Sequence, residues 1–448
     1  MTSKLMALLK KFTVLTVVAA SWYKHDVMEM MIKTLSSGVG LANVSDAFTI
    51  NGQPGDPHPC SKGKITATIL LMVDYGKTYL LHIVNAALNQ DLFFMISEHH
   101  VTVVGGDASY FKPLTTPYIL LSPGQTMDVL VIADQLLGEY YIVDTSYFDG
   151  EVDVYDHSTA IAIWEYKGNY THSSTPSFPY DIPAYNDTAI ASLFTSQIRS
   201  LASPEHLVDV PLDVTTQMYL VITMNILHCP NDSCTGSDGY RMAAALNNKT
   251  FKNPQVDILQ AYNRNLSGIY DSDFPDYKNV TISNPGARVK VLNYNEIVEI
   301  VFQGTNVMNS AETHPIHLHG YKFYVTDPKN YNLCDPPELN TIPNPKDRWT
   351  TIRFKASNPG MYFLHIIIFI VFICSLIKHA NMDGFALGVW FMHCHLDKHM
   401  SWGMDTAFIV KSGGTTETSM KSLPTYMPPC NLASFLGSMD SMLLREDI

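Results

Sequence analysis

Two short histidine-rich runs carry the chemistry of this chain: His314-Pro315-Ile316-His317-Leu318-His319-Gly320, and His393-Cys394-His395 followed by His399 and Met404. Successive side chains on a β-strand point to opposite faces, so His393 and His395 project to one side and Cys394 to the other. A thiolate with two imidazoles and a weakly bound thioether selects copper and makes a one-electron transfer centre. His399 lies on the turn after Cys394 and can join it, Met404 can cap the axial position, and His314 offers the second imidazole. His317, His319, His393 and His395 are then left on the far side of the strand, able to hold further copper. An electron reaching the thiolate has a route through the backbone of Cys394 to its histidine neighbours. Zinc is the rival metal for such ligands, and a lone strand histidine is usually structural. The compound pattern H-x-x-H-x-H with H-C-H-x-x-x-H-x-x-x-x-M favours copper over both.

The elements that must position these residues read as β structure. Charged residues are only 16% of the 448, with 25 Pro and 25 Gly, a composition that disfavours long charged helices and favours turn-rich strands. A weak internal repeat organises the chain into two β-sandwich domains. Gly76–Asn85 and Tyr294–Gln303 both alternate like half-buried strands, and Ile50-Asn51-Gly52 and Leu246-Asn247-Asn248 are matching turns upstream of them. Residues 118–132 match 342–354, and Gly138–Val143 matches Val389–His393. Where the second copy has His393-Cys394-His395 the first has Val143-Asp144-Thr145, so only the second is expected to carry metal. His99 and His100, near the counterpart of His317 and His319, are expected on a strand or loop surface. The expected divisions are a segment 1–21, a metal-free domain 22–166, a linker 167–210 with one short helix near Thr188–Leu201, a copper-binding domain 211–430 and a tail 431–448.

A net charge of −13 argues against a nucleic-acid partner, which needs clustered Lys and Arg. Seven sequons, at Asn43, Asn169, Asn186, Asn231, Asn248, Asn265 and Asn279, point to a secreted glycoprotein. Cys229 and Cys234 are spaced for a small loop disulfide, in keeping with an oxidising compartment. Lys4, Lys10 and Lys11 before the apolar run Phe12–Ala20 fit a signal peptide, while the same residues also fit a plain strand.

At the two histidine runs the chain resembles the multicopper oxidases, and specifically plant laccases. Asn43–Asp56, Gly76–Leu81 and Asn85-Ala-Ala-Leu-Asn89 extend the resemblance to that family's second cupredoxin domain. It implies two Greek-key cupredoxin sandwiches. It further implies type 1 copper on His314, Cys394 and His399, a type 2 ligand in His317, and type 3 ligands in His319, His393 and His395. The activity implied is one-electron oxidation of small phenolic substrates coupled to reduction of dioxygen to water. Ascorbate oxidase shares the copper motifs and is the runner-up. Met404 stands where many plant laccases carry Leu.

The chain departs from the family in two places. The family's His-Trp-His-Gly and the His-x-His of its first domain do not occur, so half of the trinuclear ligands are expected to be missing. Cys60 and Cys430, which in the family bridge to that domain, are by the same resemblance unpaired. The expectation is a chain able to hold type 1 copper but unable by itself to reduce dioxygen, the alternative being a non-catalytic secreted cupredoxin fragment. Second, residues 361–388 interrupt the run from Asn358-Pro359-Gly360 to Val389-Trp390 with an apolar stretch. A single membrane span there would drag apart a pair of strands that must hydrogen-bond, so no true span is expected. A translated intron accounts better for this segment, and sequencing of the mature transcript across it tests that origin.

Overall fold

The computed structural model describes residues 12–37, 44–55, 68–151, 154–171, 176–203, 208–229, 239–272, 274, 283–309, 311–326, 332–359, 388–416 and 418–420. The first module is built from β1 (Thr13–Trp22), β2 (Ala47–Ile50), β3 (Ile69–Val73), β4 (Thr78–Ala86), β5 (Asp91–Ile96), β6 (Val101–Gly106), β7 (Ser109–Thr116), β8 (Tyr118–Leu121), β9 (Thr126–Ile132), β10 (Glu139–Tyr147) and β11 (Thr159–Tyr166). These form one sheet in the order β2-β1-β4-β9-β6-β7 and another in the order β3-β11-β10-β5-β8. Alternation explains the packing. Met127, Val129 and Val131 on β9 are buried while the residues between them are not, as a strand with one face on a core requires.

The second module comprises β12 (Thr216–His228), β13 (Tyr240–Leu246), β14 (Lys249–Phe251), β15 (Asn284–Gly286), β16 (Val289–Leu292), β17 (Ile297–Gly304), β18 (His314–Leu318), β19 (Phe323–Thr326), β20 (Glu338–Leu339), β21 (Thr341–Asn344), β22 (Trp349–Lys355), β23 (Val389–Cys394) and β24 (Asp405–Val410). Its sheets run β15-β14-β13-β12-β17-β22-β19-β20 and β16-β24-β23-β18-β21. Without β14 and β15, the two modules match strand for strand. The architecture is all-β, two cupredoxin-like sandwiches, as the repeat suggested.

An asparagine fixes the same corner in both. Asn51, with φ of 48°, receives the Val18 amide on Oδ1 (2.8 Å) and donates from Nδ2 to Thr16 O (3.1 Å). Asn247, also at φ 48°, does the same to Val221 N (2.7 Å) and Tyr219 O (2.6 Å). Asn tolerates this left-handed backbone better than most residues. The correspondence makes β1 the counterpart of β12. Each runs parallel to the alternating strand of its module, β1 along β4 and β12 along β17. The first sandwich therefore includes Thr13–Trp22, ahead of the boundary expected at residue 22. The segment 167–210 supplies the expected helix at Thr188–Gln197, which packs Ala191 and Phe194 inward.

Register locates the absent ligands of the first module. Gln125 N bonds Ser122 O after β8, as Arg348 N bonds Pro345 O after β21. With those turns superposed, the cross-strand pair Phe94–Asp144 falls on Ile316–Cys394. Leu92, Met95 and Ser97 then stand for His314, His317 and His319. One expectation is corrected here: His99 is not a surface residue but 3% exposed, its Nδ1 2.6 Å from Ser97 O and its Nε2 2.7 Å from Tyr166 Oη. His100 is exposed.

Asp144, in the place of Cys394, is fully buried, and neither carboxylate oxygen has a hydrogen-bond partner among the described residues. Burial raises its pKa to about 8. The folded chain thus holds a proton that the unfolded chain loses above the ordinary value of 3.8, and stability falls as pH rises through that interval. Thermal melts should show Asp144→Asn losing less stability than wild type between pH 5 and pH 8, by about 2–4 kcal/mol. Equal losses would rule out a buried, proton-holding Asp144.

Candidate metal centre

β18 lies antiparallel to β23 with Ile316 opposite Cys394 and His317 opposite His393. The pleat then sorts the ligand residues into two groups on opposite faces. In the first, Cys394 Sγ is 3.9 Å from His314 Nδ1 and 3.6 Å from His399 Nδ1, and the two nitrogens are 3.0 Å apart. All three donor atoms lie within 4.8 Å of one another, on residues no more than 1% exposed. His399 belongs to the short helix Asp397–Ser401. Met404 is buried where the chain returns, and its main chain ties the group together. Its carbonyl accepts from Cys394 N (3.1 Å), and its amide donates to His399 O (3.0 Å).

The second group collects His317, His319, His393 and His395. His319 Nε2 is 3.0 Å from His393 Nε2, and the His317 ring centre lies 4.8–5.6 Å from those of the other three. Hydrogen bonds fix the tautomers. His393 Nδ1 donates to Cys394 O (2.8 Å), leaving Nε2 with its lone pair. The Thr341 hydroxyl donates to Asn340 Oδ1 (2.9 Å) and so accepts from His317 Nδ1 (2.9 Å), which again puts the lone pair of the ring on Nε2. Burial is the largest influence on every imidazole in both groups and holds each below its ordinary pKa, His319 at about 4. Neutral imidazoles are ready metal ligands. Burial pushes the Cys394 thiol well up, so a metal taken up there must displace its proton.

A buried ion pair closes the first group. Glu312 Oε1 is 2.6 Å from Lys398 Nζ and 3.2 Å from His399 Nε2. Burial alone would raise the Glu312 carboxyl, but Lys398 and His399 together hold it well below the usual range. The first module completes the enclosure. Asp149 accepts from Thr313 N (2.7 Å) and Thr313 Oγ1 (2.8 Å), beside His314. Lys398 Nζ sits 5.8 Å from the centre of the Phe148 ring. Around the second group, Gln125 Nε2 donates to Thr341 O (2.8 Å), and Asp107 Oδ2 accepts from Asn340 N (3.2 Å). Gly124 presses against His395: at φ +79°, a Cβ there would fall 2.2 Å from Nε2.

All seven metal-ligating His and Cys residues expected from sequence thus fall into these two groups, with Met404 at the return of the chain. Sequence reasoning missed Glu312 and Lys398, though each lies within two residues of a motif histidine and their opposite charges hinted at a pair. Cys229 is disulfide-bonded. Cys234, Cys60, Cys430, the tail 431–448, residues 361–387 and the sequons at Asn43, Asn231 and Asn279 lie outside the described residues. No described helix is long and apolar enough to cross a membrane.

Two family models described as "Multicopper oxidase" match residues 13–169 and, in two pieces, 249–369 and 381–414. Residues 370–380, inside the anomalous segment, fall between the two pieces. Laccase-21 of Oryza sativa subsp. japonica is 39% identical over 92% of this chain and 71% of its own length. Laccase-14 of Arabidopsis thaliana is 38% identical over 91% and 69%. The crystal structure of Fet3p, a multicopper oxidase that functions in iron import, superposes with a TM-score of 0.65 at 19% identity, covering 92% of this chain and 68% of that one. That likeness concerns fold alone.

Removing one partner of a buried ion pair strands the other charge. Glu312→Gln should therefore cost about 3 kcal/mol of stability in urea unfolding, and a second change, Lys398→Met, should recover most of it. Additive losses in the double variant would show that the two side chains are not coupled.

Proposed function

The chain belongs to the multicopper oxidase family and is of the laccase type, and from that premise we propose that His314, Cys394 and His399 would hold a type 1 copper, with Met404 as a further, thioether donor. The observation that carries this is the buried trio of one sulfur and two imidazole nitrogens, all within 4.8 Å. A thiol and two neutral imidazoles fit a copper ion and suit no hard cation. Copper bound there supplies a one-electron acceptor for phenolic substrates. His317, on this proposal, would be a type 2 ligand, and His319, His393 and His395 type 3 ligands, which is half of the ligand set that dioxygen reduction in the family requires. The chain's own role is to hold these donors rigidly, keep water from the sulfur, and join the groups by bonds. The peptide unit after Cys394 leads to His395, and the hydrogen bond from His393 Nδ1 to Cys394 O closes a second link.

The extracellular setting belongs to the same proposal. Asn169, Asn186 and Asn265 sit exposed between regular elements, where glycan addition is unhindered. The disulfide at Cys229 agrees with an oxidising compartment.

Copper(II) added to the purified chain should produce an intense visible thiolate-to-copper absorption that Cys394→Ser abolishes. Without oxygen, a phenol should bleach it. A copper-loaded chain lacking that absorption would sink the proposal. Met404→Leu, which would remove the thioether donor, should raise the reduction potential of the centre, and an unchanged or lower potential in a redox titration would take Met404 out of the ligand set.

A further inference from the structure

The helix that carries His399 cannot cap itself. Asp397–Ser401 is five residues long, and its N-cap residue is Leu396, which makes no side-chain cap hydrogen bond. The first turn of a helix leaves backbone amides without intrahelical partners, and a helix this short has little cooperativity to hold it. Here the missing acceptors come from the other module. Leu88 O takes the amide of Asp397 (2.9 Å), and Asn89 Oδ1 takes the amide of Lys398 (2.9 Å), 309 residues away in sequence. The next residue is His399.

The loop presenting Leu88 and Asn89 is itself braced. Asn85, 1% exposed at the end of β4, receives Ala87 N on Oδ1 (2.8 Å) and donates from Nδ2 to Gln90 O (3.0 Å) and Leu121 O (2.8 Å). Gln90 Nε2 in turn donates to Tyr147 O (2.5 Å). A rigid loop in the metal-free module therefore offers two fixed acceptors to the ligand-bearing helix. The same helix is also held at Glu312, which meets Lys398 Nζ at 2.6 Å and His399 Nε2 at 3.2 Å, and at Met404, whose amide donates to His399 O (3.0 Å).

We propose that Asn89 is a positioning residue for the copper ligand His399, acting by capping its helix from the neighbouring module. The inference rests on His314, Cys394 and His399 being a copper site. Asn89 touches neither copper nor substrate. It sets the backbone from which the His399 ring reaches the thiol, as outer partners orient first ligands at metal sites generally.

The test uses the full chain in four forms: wild type, Asn89→Ala, Asn89→Asp and Asn51→Ala. Asp keeps the acceptor oxygen, whereas Ala removes it. Asn51→Ala removes an equally well bonded asparagine of the same module, at the β1–β2 corner, and controls for general destabilisation. In the metal-free chains, amide exchange at residues 397–400 should quicken at least about 10-fold in Asn89→Ala only. After copper loading, Asn89→Ala should show an altered copper hyperfine splitting in its paramagnetic resonance spectrum and a copper affinity lower by about 10-fold, the lower end for outer-shell partners. Asn89→Asp should restore both, and Asn51→Ala should leave both unchanged. If wild type shows the thiolate–copper absorption and Asn89→Ala has the wild-type spectrum and affinity, the positioning role is overturned and the copper site stands. If wild type shows no such absorption, the copper site falls and the positioning role falls with it, whatever the exchange rates. An equal spectral change in Asn51→Ala would also overturn it, because the effect would then be one of general stability.

Discussion

The pairing of β18 with β23, Ile316 against Cys394 and His317 against His393, is the constraint on which the site depends. Side chains alternate with a period of two, so this register alone decides which donors share a face. A slip of one residue would set Cys394 against His317 or Pro315 and scatter both groups. The register is protected from both sides. β21 pairs with the other edge of β18, placing Thr341 opposite His317, and β24 pairs with the other edge of β23. Gly320 ends the run: a Cβ there would fall 2.0 Å from the Trp390 ring, whose Nε1 is committed to Asn358 O.

The two sandwiches share a frame and differ in what fills it. At the positions of His314, His317, His393 and Cys394 the first module has Leu92, Met95, Val143 and Asp144. Three are ordinary core residues, and the fourth is a carboxyl kept protonated by burial. The frame therefore does not need metal to form. Its corners are set by Asn51 and Asn247, and its core by strand alternation. In the second module the same frame supports seven donors that must be desolvated together, and the cost of burying them is offset by hydrogen bonds to Thr341 and Cys394 O and by the Glu312 carboxylate beside His399.

Much of this was legible in the sequence, for a physical reason. H-C-H is a statement about pleat, and the internal repeat exposed the frame through strands that alternate and turns rich in Asn and Gly. What was not legible came from contacts between distant segments. His99 looked like a surface residue because it follows a turn and adjoins Glu98 and exposed His100, yet Tyr166 Oη, 67 residues on, takes it into the core. The apolar run Phe12–Ala20 reads equally as a signal peptide or a strand, and only the pairing of Thr13–Ala20 with β4 and of Ala19–Trp22 with β2 makes it a strand. Nothing near Leu88 and Asn89 announces that their acceptors serve a helix at the other end of the chain.

Gly124 gives this seam an engineering meaning. Its φ of +79° and the His395 ring 2.2 Å from where a Cβ would stand make the turn a bare-backbone socket for an imidazole of the other sandwich. The modules are thus a matched set and not interchangeable units. A chimaera that joins this ligand-bearing sandwich to a different first sandwich keeps His395 in place only if the incoming turn also offers glycine at that point, a requirement additional to the acceptors at Asn89 and Asp149.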